Sequence, residues 1–411
     1  MITNVPTRDR WGEYMEMSVR TTVTVLCMLS FCSPLQLAAQ TPNAVSSPKI
    51  RVVDGTNYPR TSQGIQSAIK DIGMSPGTVY LTPGIYDISS EIQVTAPGIR
   101  IIGDGVASTM LNVANPTANV FNVTGSRFEL MDLGIKSTSQ KTAGSLVVMG
   151  GPEGRVHNVR VEGNFWNGFT AESGAGGSWS LDTIRVIGKA TWNYFLRLQS
   201  PTRTIASTHV HNLYVSNAIT WKTASIILDT GVDTFICSDS ELGPILAQDS
   251  LKTQAPRWID FTNTFVEGGN AGQNDKTALD IAAVRDLRYV GGYIASSRLG
   301  AVIGPGARGV EIASTEFVSV GRSAVTIAAG ARDVSIVNNT FEDTGVEANG
   351  AFDTVAVAPG TSDFDISHNV FKSAASNRPR YNLSLPAKCA TCIADGNRFG
   401  GYATDAMTGG K

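Results

Sequence analysis

His157, Asp182, His211 and Asp233 share one offset, two residues before four consecutive copies of a short apolar–x–apolar pattern. Between the paired apolar residues of those copies stand Arg160, Arg185 and Tyr214, and Glu162 follows Val161. Five or six residues further on come Trp166, Trp192 and Trp221. Carboxylates and imidazoles in one line suit proton transfer. Two carboxylates across a bond, one an acid and the other a base or nucleophile, suit hydrolysis of an acetal. Guanidinium groups beside a substrate carboxylate acidify the adjacent carbon, and an Arg, Lys or His base then completes an elimination. Aromatic faces offer a platform for rings whose C–H faces are apolar. The candidate catalytic set is therefore Asp182, Asp233, His157, His211, Arg160 and Arg185. The candidate binding set is Trp166, Trp192, Trp221, Tyr214 and Glu162. A His/Asp column at a turn is more often a solvated, hydrogen-bonded edge, and an internal stack filling the core accounts equally for the tryptophans.

Whatever the apolar pairs form must position these side chains. The pairs are Leu133/Ile135, Val159/Val161, Ile184/Val186, Leu213/Val215, Phe235/Cys237, Leu287/Tyr289, Val310/Ile312, Val334/Ile336 and Phe364/Ile366. Weaker copies stand at Trp258/Asp260 and Cys392/Ala394, and neighbouring copies begin 22 to 30 positions apart. An alternating pair is one short strand, and its return at such an interval marks a solenoid. Period-two patterning, β-branched residues and 42 glycines exclude helical repeats. Seven residues after the later anchors, or near it, stand Leu242, Phe265, Ile294, Phe317, Phe341, Phe371 and Phe399. Two before those stand Ser240, Asn263, Gly292, Thr315, Asn339, Asn369 and Asn397. Asparagine at one turn position of successive rungs suits a ladder in which each amide bonds its own turn and the next rung. The fold class is all-β: a right-handed single-stranded parallel β-helix of about eleven or more coils, with a short N-terminal capping helix.

With 411 residues, 42% hydrophobic and 17% charged, the chain can fill one long core, and no linker interrupts the repeat. A net charge of −2 gives no electrostatic case for nucleic acid. Residues 1–40 read as an export signal: a short basic start at Met17–Arg20, an apolar run from Thr21 to Cys32, and small residues near Ala39. Residues 1–16 precede a start at Met15 or Met17. A flexible segment over 41–48 then leads into a β-helix domain over 49–405. Secreted or periplasmic localisation follows, with no membrane attachment after cleavage. Cys27 and Cys32 leave with the signal, and Cys237 falls at an inward core position. In an oxidising compartment Cys389 and Cys392 pair as a disulfide stapling the last coil. No spacing of Cys and His specifies zinc.

Thr61–Ile72 places Ile65, Ala68, Ile69 and Ile72 on one helical face, with Thr61 or Ser62 to cap it and Gly73 to end it. There follow Gly77-Thr-Val-Tyr-Leu-Thr-Pro-Gly-Ile-Tyr-Asp-Ile88, Ile92-Gln-Val94 and Ile99-Arg-Ile-Ile-Gly-Asp-Gly105. This segment resembles the opening of pectin-lyase-like β-helix proteins, particularly the pectate lyase superfamily. That resemblance implies a helix covering the open end of the solenoid. It also implies saccharide chemistry: an exported polysaccharide lyase or glycoside hydrolase acting on a pectin-like or other acidic glycan. A non-catalytic carbohydrate-binding or surface-adhesion module is the alternative. The Asn-Thr-Asp, Asp-Asp, Gly-His-Gly and Arg-Ile-Lys signatures of polygalacturonase-type hydrolases do not occur. Arg257-Trp-Ile-Asp-Phe261 differs from the Trp-Ile-Asp-His segment of pectate lyases by Phe261, so no role is carried over. The expected partner is a polysaccharide. Calcium enters only if the chemistry is a lyase's, and no loop in the sequence specifies it.

Overall fold

The computed structural model describes residues 49–172, 177–201, 205, 207–268, 276–374, 377–387, 391–400 and 407–408. The expected export signal and the segment 41–48 lie outside them, as does Cys389. Cys392 is disulfide-bonded. One helix, α1 (Ser62–Ile72), precedes a long series of short strands. Coil stacks on coil through parallel pairing, in about 13 turns. The architecture is the parallel β-helix that the resemblance implied, with its helix-covered end. The Thr61 hydroxyl accepts from the Gly64 amide at 3.2 Å, and Gly73 ends the helix with φ 78°. Its face of Ile65, Ala68, Ile69 and Ile72 is buried on the first coil. Among the described residues no helix is long and apolar enough to cross a membrane.

Side chains at equivalent positions stack because each coil repeats the register of the last. Leu130, Val156, Leu181, Val210, Cys237, Phe261, Tyr289, Ile312, Ile336 and Ile366 form one inward column. All are buried, each contributing about 1.5–3 kcal/mol where it is a large aliphatic or aromatic. Burial pushes the Cys237 thiol up to about 12, as befits a core thiol. Two residues past this column the backbone turns through the left-handed region, at Asp132, Asn158, Thr183, Asn212, Asp239 and Asn263. Asn and Asp tolerate that region best. Their side chains link coil to coil: the Asn158 amide donates to Asp132 at 2.6 Å, and that of Asn263 to Asp239 at 2.7 Å. The bend divides each coil into a first and a second strand, and a third strand closes the loop.

The register corrects the sequence alignment at one place. Leu133, Val159, Ile184 and Leu213 open the second strand, whereas Phe235/Cys237 and the later pairs lie on the first strand. Tyr214 pairs with Glu241, so the true successor of Leu213 is Ser240. From there the inward position continues as Thr264, Gly292, Thr315, Asn339, Asn369 and Asn397. Asn263 is displaced to the exposed bend, and Thr264 takes its place. The asparagine ladder itself is present. The Asn369 side-chain oxygen accepts from the Asn339 amide at 2.9 Å, and that of Asn397 accepts from the Asn369 amide at 3.0 Å. Each side-chain amide donates to a carbonyl of the preceding coil and not to its own turn, Asn339 to Ile312, Asn369 to Ile336 and Asn397 to Ile366. Beside the ladder Phe317, Phe341, Phe371 and Phe399 stack with ring centroids 4.9, 4.9 and 5.1 Å apart.

Candidate active site

The first-strand column brings three of the predicted residues together. His157 pairs in register with Asp182 and Asp182 with His211, but His211 pairs with Ser238. Asp233 is not in this column. It lies before Phe235, which continues the strand of Thr208, and it binds the Arg257 guanidinium instead. The His211 imidazole is occupied on both sides: Nδ1 lies 2.9 Å from Asp182 and Nε2 3.6 Å from Asp239. Burial pushes the Asp182 carboxyl up. Hydrogen bonds from His211 and Thr183, with the charges of His211 and Arg155, outweigh it and hold the group below the ordinary carboxylate range. Asp182 and His211 are thus hydrogen-bonded to each other, with the Asp239 carboxylate beyond them along the edge.

The tryptophans separate. Trp192 is fully buried, donates its indole N–H to the Gly163 carbonyl at 2.9 Å and meets Phe165 and Trp221 in the core. A surface platform is ruled out for Trp192, because the short strand Ala190–Trp192 turns its ring inward beside Ile219–Trp221. Phe165 takes the equivalent place one coil earlier, leaving Trp166 half-exposed with the Lys222 ammonium 4.0 Å from its ring centre. Trp221 is also buried, yet its edge lines a cleft.

That cleft, a shallow open recess, lies on the second-strand side and is lined by Val215, Asn217, Trp221, Glu241, Gly243 and Glu267, among others. Loop lengths create it. Strand Glu241–Leu242 reaches Ile245–Ala247 through Gly243 and Pro244 alone. The coil before it inserts residues 216–225, and the coil after it residues 268–276. The Lys276 ammonium donates to the Lys222 carbonyl at 3.3 Å, joining the two longer turns across the short one. Gly243 is required: a Cβ there would stand 2.1 Å from the Trp221 indole nitrogen.

Outward along the second strands runs the column Arg160, Arg185, Tyr214, Glu241, Phe265, Tyr293. Arg160 and Lys136 bind Glu162, at 3.1 and 3.3 Å. Arg185 is exposed and has no carboxylate partner among the described residues. Tyr214 is 41% exposed, a free aromatic surface next to Glu241. Glu267 stands two residues beyond the register partner of Glu241, on the same outward face. Ladder spacing and strand rise put their α-carbons about 8 Å apart. Burial, then the charge of Glu267, raises the Glu241 carboxyl above its ordinary range. Glu267 accepts a 3.0 Å hydrogen bond from the Tyr293 hydroxyl. Burial, then the charge of Glu267 and that hydrogen bond, pushes the Tyr293 hydroxyl up to about 12. Neither Glu241 nor Glu267 is in the sequence-derived set. The signal for Glu241 was its place in the Arg160–Arg185–Tyr214 column, visible once Ser240 is aligned with Leu213.

Fold and face together define, over the described residues, a parallel β-helix with an acidic, aromatic-flanked cleft beside a cationic column. No family model and no curated protein matches the chain. Among solved structures it is similar to the A-module of a mannuronan C-5 epimerase from Azotobacter vinelandii, at 13% identity and TM-score 0.48 over 85% of this chain and 95% of that one. It is similar to PfbA, a surface adhesin of Streptococcus pneumoniae, at 11% identity and TM-score 0.47 over 87% and 90%. An endo-xylogalacturonan hydrolase from Aspergillus tubingensis follows at 12% and 0.45, over 85% of this chain and 100% of that one.

Proposed function

We propose that the protein is an exported glycoside hydrolase acting on a polysaccharide, with Glu241 as general acid and Glu267 as general base. The observation that carries this reading is the placing of two carboxylates, Glu241 and Glu267, in the lining of one cleft beside the Trp221 edge. Burial, then the charge of Glu267, raises the Glu241 carboxyl in the direction a general acid needs, and the Tyr293 hydroxyl donates to Glu267. Tyr214 and the Trp221 edge present aromatic surface to a sugar ring, and Arg185 presents a cation one coil from Tyr214. Export rests on the signal-like residues 17–40.

Reducing-end release, screened over pectic, alginate and neutral glycans, tests the reading, with ultraviolet absorbance of unsaturated product followed in parallel. Hydrolysis is expected on at least one glycan, falling about 10²- to 10⁴-fold in Glu241→Gln. Full activity in that variant would sink the assignment. Unsaturated product would establish a lyase instead, and binding without any product would establish a carbohydrate-binding module.

A further inference from the structure

The position just before each first strand repeatedly adopts a left-handed backbone. On the coils after Ile259 it is filled by Asp286, Gly309, Asp333 and Asp363, residue types that accept this conformation. On the coil of Ile259 the residue is Trp258, at φ 53°. A bulky side chain in that region is an outlier that neither backbone preference nor the need for a turn explains. Core packing does not explain it either, because Trp258 is 53% exposed. The ring is nevertheless held. The Arg257 guanidinium lies 4.4 Å from its centre, and Asp233 holds Arg257 in turn. One face of the indole is thus backed by a fixed cation, and exposure leaves the ring open to solvent elsewhere. The equivalent positions on the next coil are charged, Arg285 and Asp286. A single rigid aromatic in a polar surround suits the apolar C–H face of a pyranose whose hydroxyls bond the rim.

We infer that Trp258, backed by Arg257 and Asp233, is a second, non-catalytic carbohydrate site that stacks a pyranose ring of a polysaccharide. It is built on the entry to the first strand, whereas the cleft lies beyond the second. Native electrophoresis through gels cast with polygalacturonate, alginate, xylan, glucomannan or mixed-linkage β-glucan tests it. Trp258→Asp installs the residue type of the following coils and so preserves the fold, which an unchanged circular dichroism spectrum and melting point confirm. The wild type is expected to be retarded by at least one glycan, with affinity about tenfold lower in Trp258→Asp and largely kept in Trp258→Tyr. Glu241→Gln should be retarded like the wild type. Equal retardation of Trp258→Asp and wild type, or no retardation of the wild type in any gel, overturns the site. Cleavage of short oligosaccharides by Trp258→Asp at the wild-type rate separates this site from the cleft.

Discussion

Asn369→Ala removes the middle of the amide ladder, and the structure states what is lost. Asn369 is completely buried. Its side-chain oxygen accepts from the Asn339 backbone amide at 2.9 Å and from the Asn339 side chain at 3.1 Å. Its side-chain nitrogen donates to the Ile336 carbonyl at 2.8 Å and to Asn397 at 3.1 Å. After truncation the Asn339 side chain still reaches Ile312, and Asn397 still receives the Asn369 backbone amide. The Asn339 backbone amide is left with no acceptor. An orphaned buried donor costs about 1–3 kcal/mol and each further lost bond about 1 kcal/mol, giving about 3–5 kcal/mol. Coils contact only their neighbours, so the loss is local to the later coils. Urea denaturation should show a lower midpoint. Hydrogen exchange should accelerate over the strands from Arg332 to Lys372 while Phe128–Ile187 stays protected. Asn263→Gly is the control: it keeps the left-handed backbone, loses one exposed bond to Asp239, and is expected to stay within about 0.5 kcal/mol of wild type. An unchanged midpoint in Asn369→Ala, or exchange accelerated equally in both halves, refutes the reasoning.

Gly243→Ala forces the Trp221 indole out of its seat against the backbone and into the cleft. Overpacking there is expected to cost about 1–3 kcal/mol and to lower activity per folded molecule at least about tenfold; activity equal to wild type would show that the cleft is not the working site. Asp182 supplies a pH test. Its carboxyl is held below its ordinary range, so its contribution is complete above about pH 4 and disappears as pH falls through the lowered value. The stability gap between wild type and Asp182→Asn should therefore narrow from pH 5 to pH 2 in chemical denaturation, and a gap that widens on acidification would contradict the sign.

The solenoid and its helical cover were readable because burial demands a short, recurrent apolar signal, and Thr61–Gly73 carries both helix-capping residues. The slip from Leu213 to Phe235 has a physical origin. Through Leu213 the second strand opens on an apolar inward residue. At Ser240 that position turns polar and stays non-apolar through Thr264, Thr315 and Asn369, so the apolar–x–apolar pair survives only on the first strand. Two strands flanking one bend carry the same local pattern, and spacing alone does not tell them apart. The slip placed Asp233 with His211 and hid Glu241 behind Tyr214. The tryptophans were misleading for a different reason: a turn two residues shorter sends Phe165 inward and Trp166 outward, and no periodicity reports that. Nor did the pattern announce the cleft, which opens where Gly243 and Pro244 alone join two strands.

The change from apolar to amide-bearing coils has an evolutionary consequence. In the later coils each asparagine side chain serves both a carbonyl and an amide of the coil before it, so one coil presents at its far side what the next requires at its near side. Such a unit is closed under copying. Duplicating the segment from Asn339 to His368 would insert a coil whose asparagine finds both partners and whose Phe341 copy joins the aromatic stack. Around Glu241 the coils have unequal turns, and a copied coil would close or displace the cleft. The two halves thus differ in how freely they accept change of length: the chain can lengthen at its later coils while the coils bearing the carboxylates keep their number.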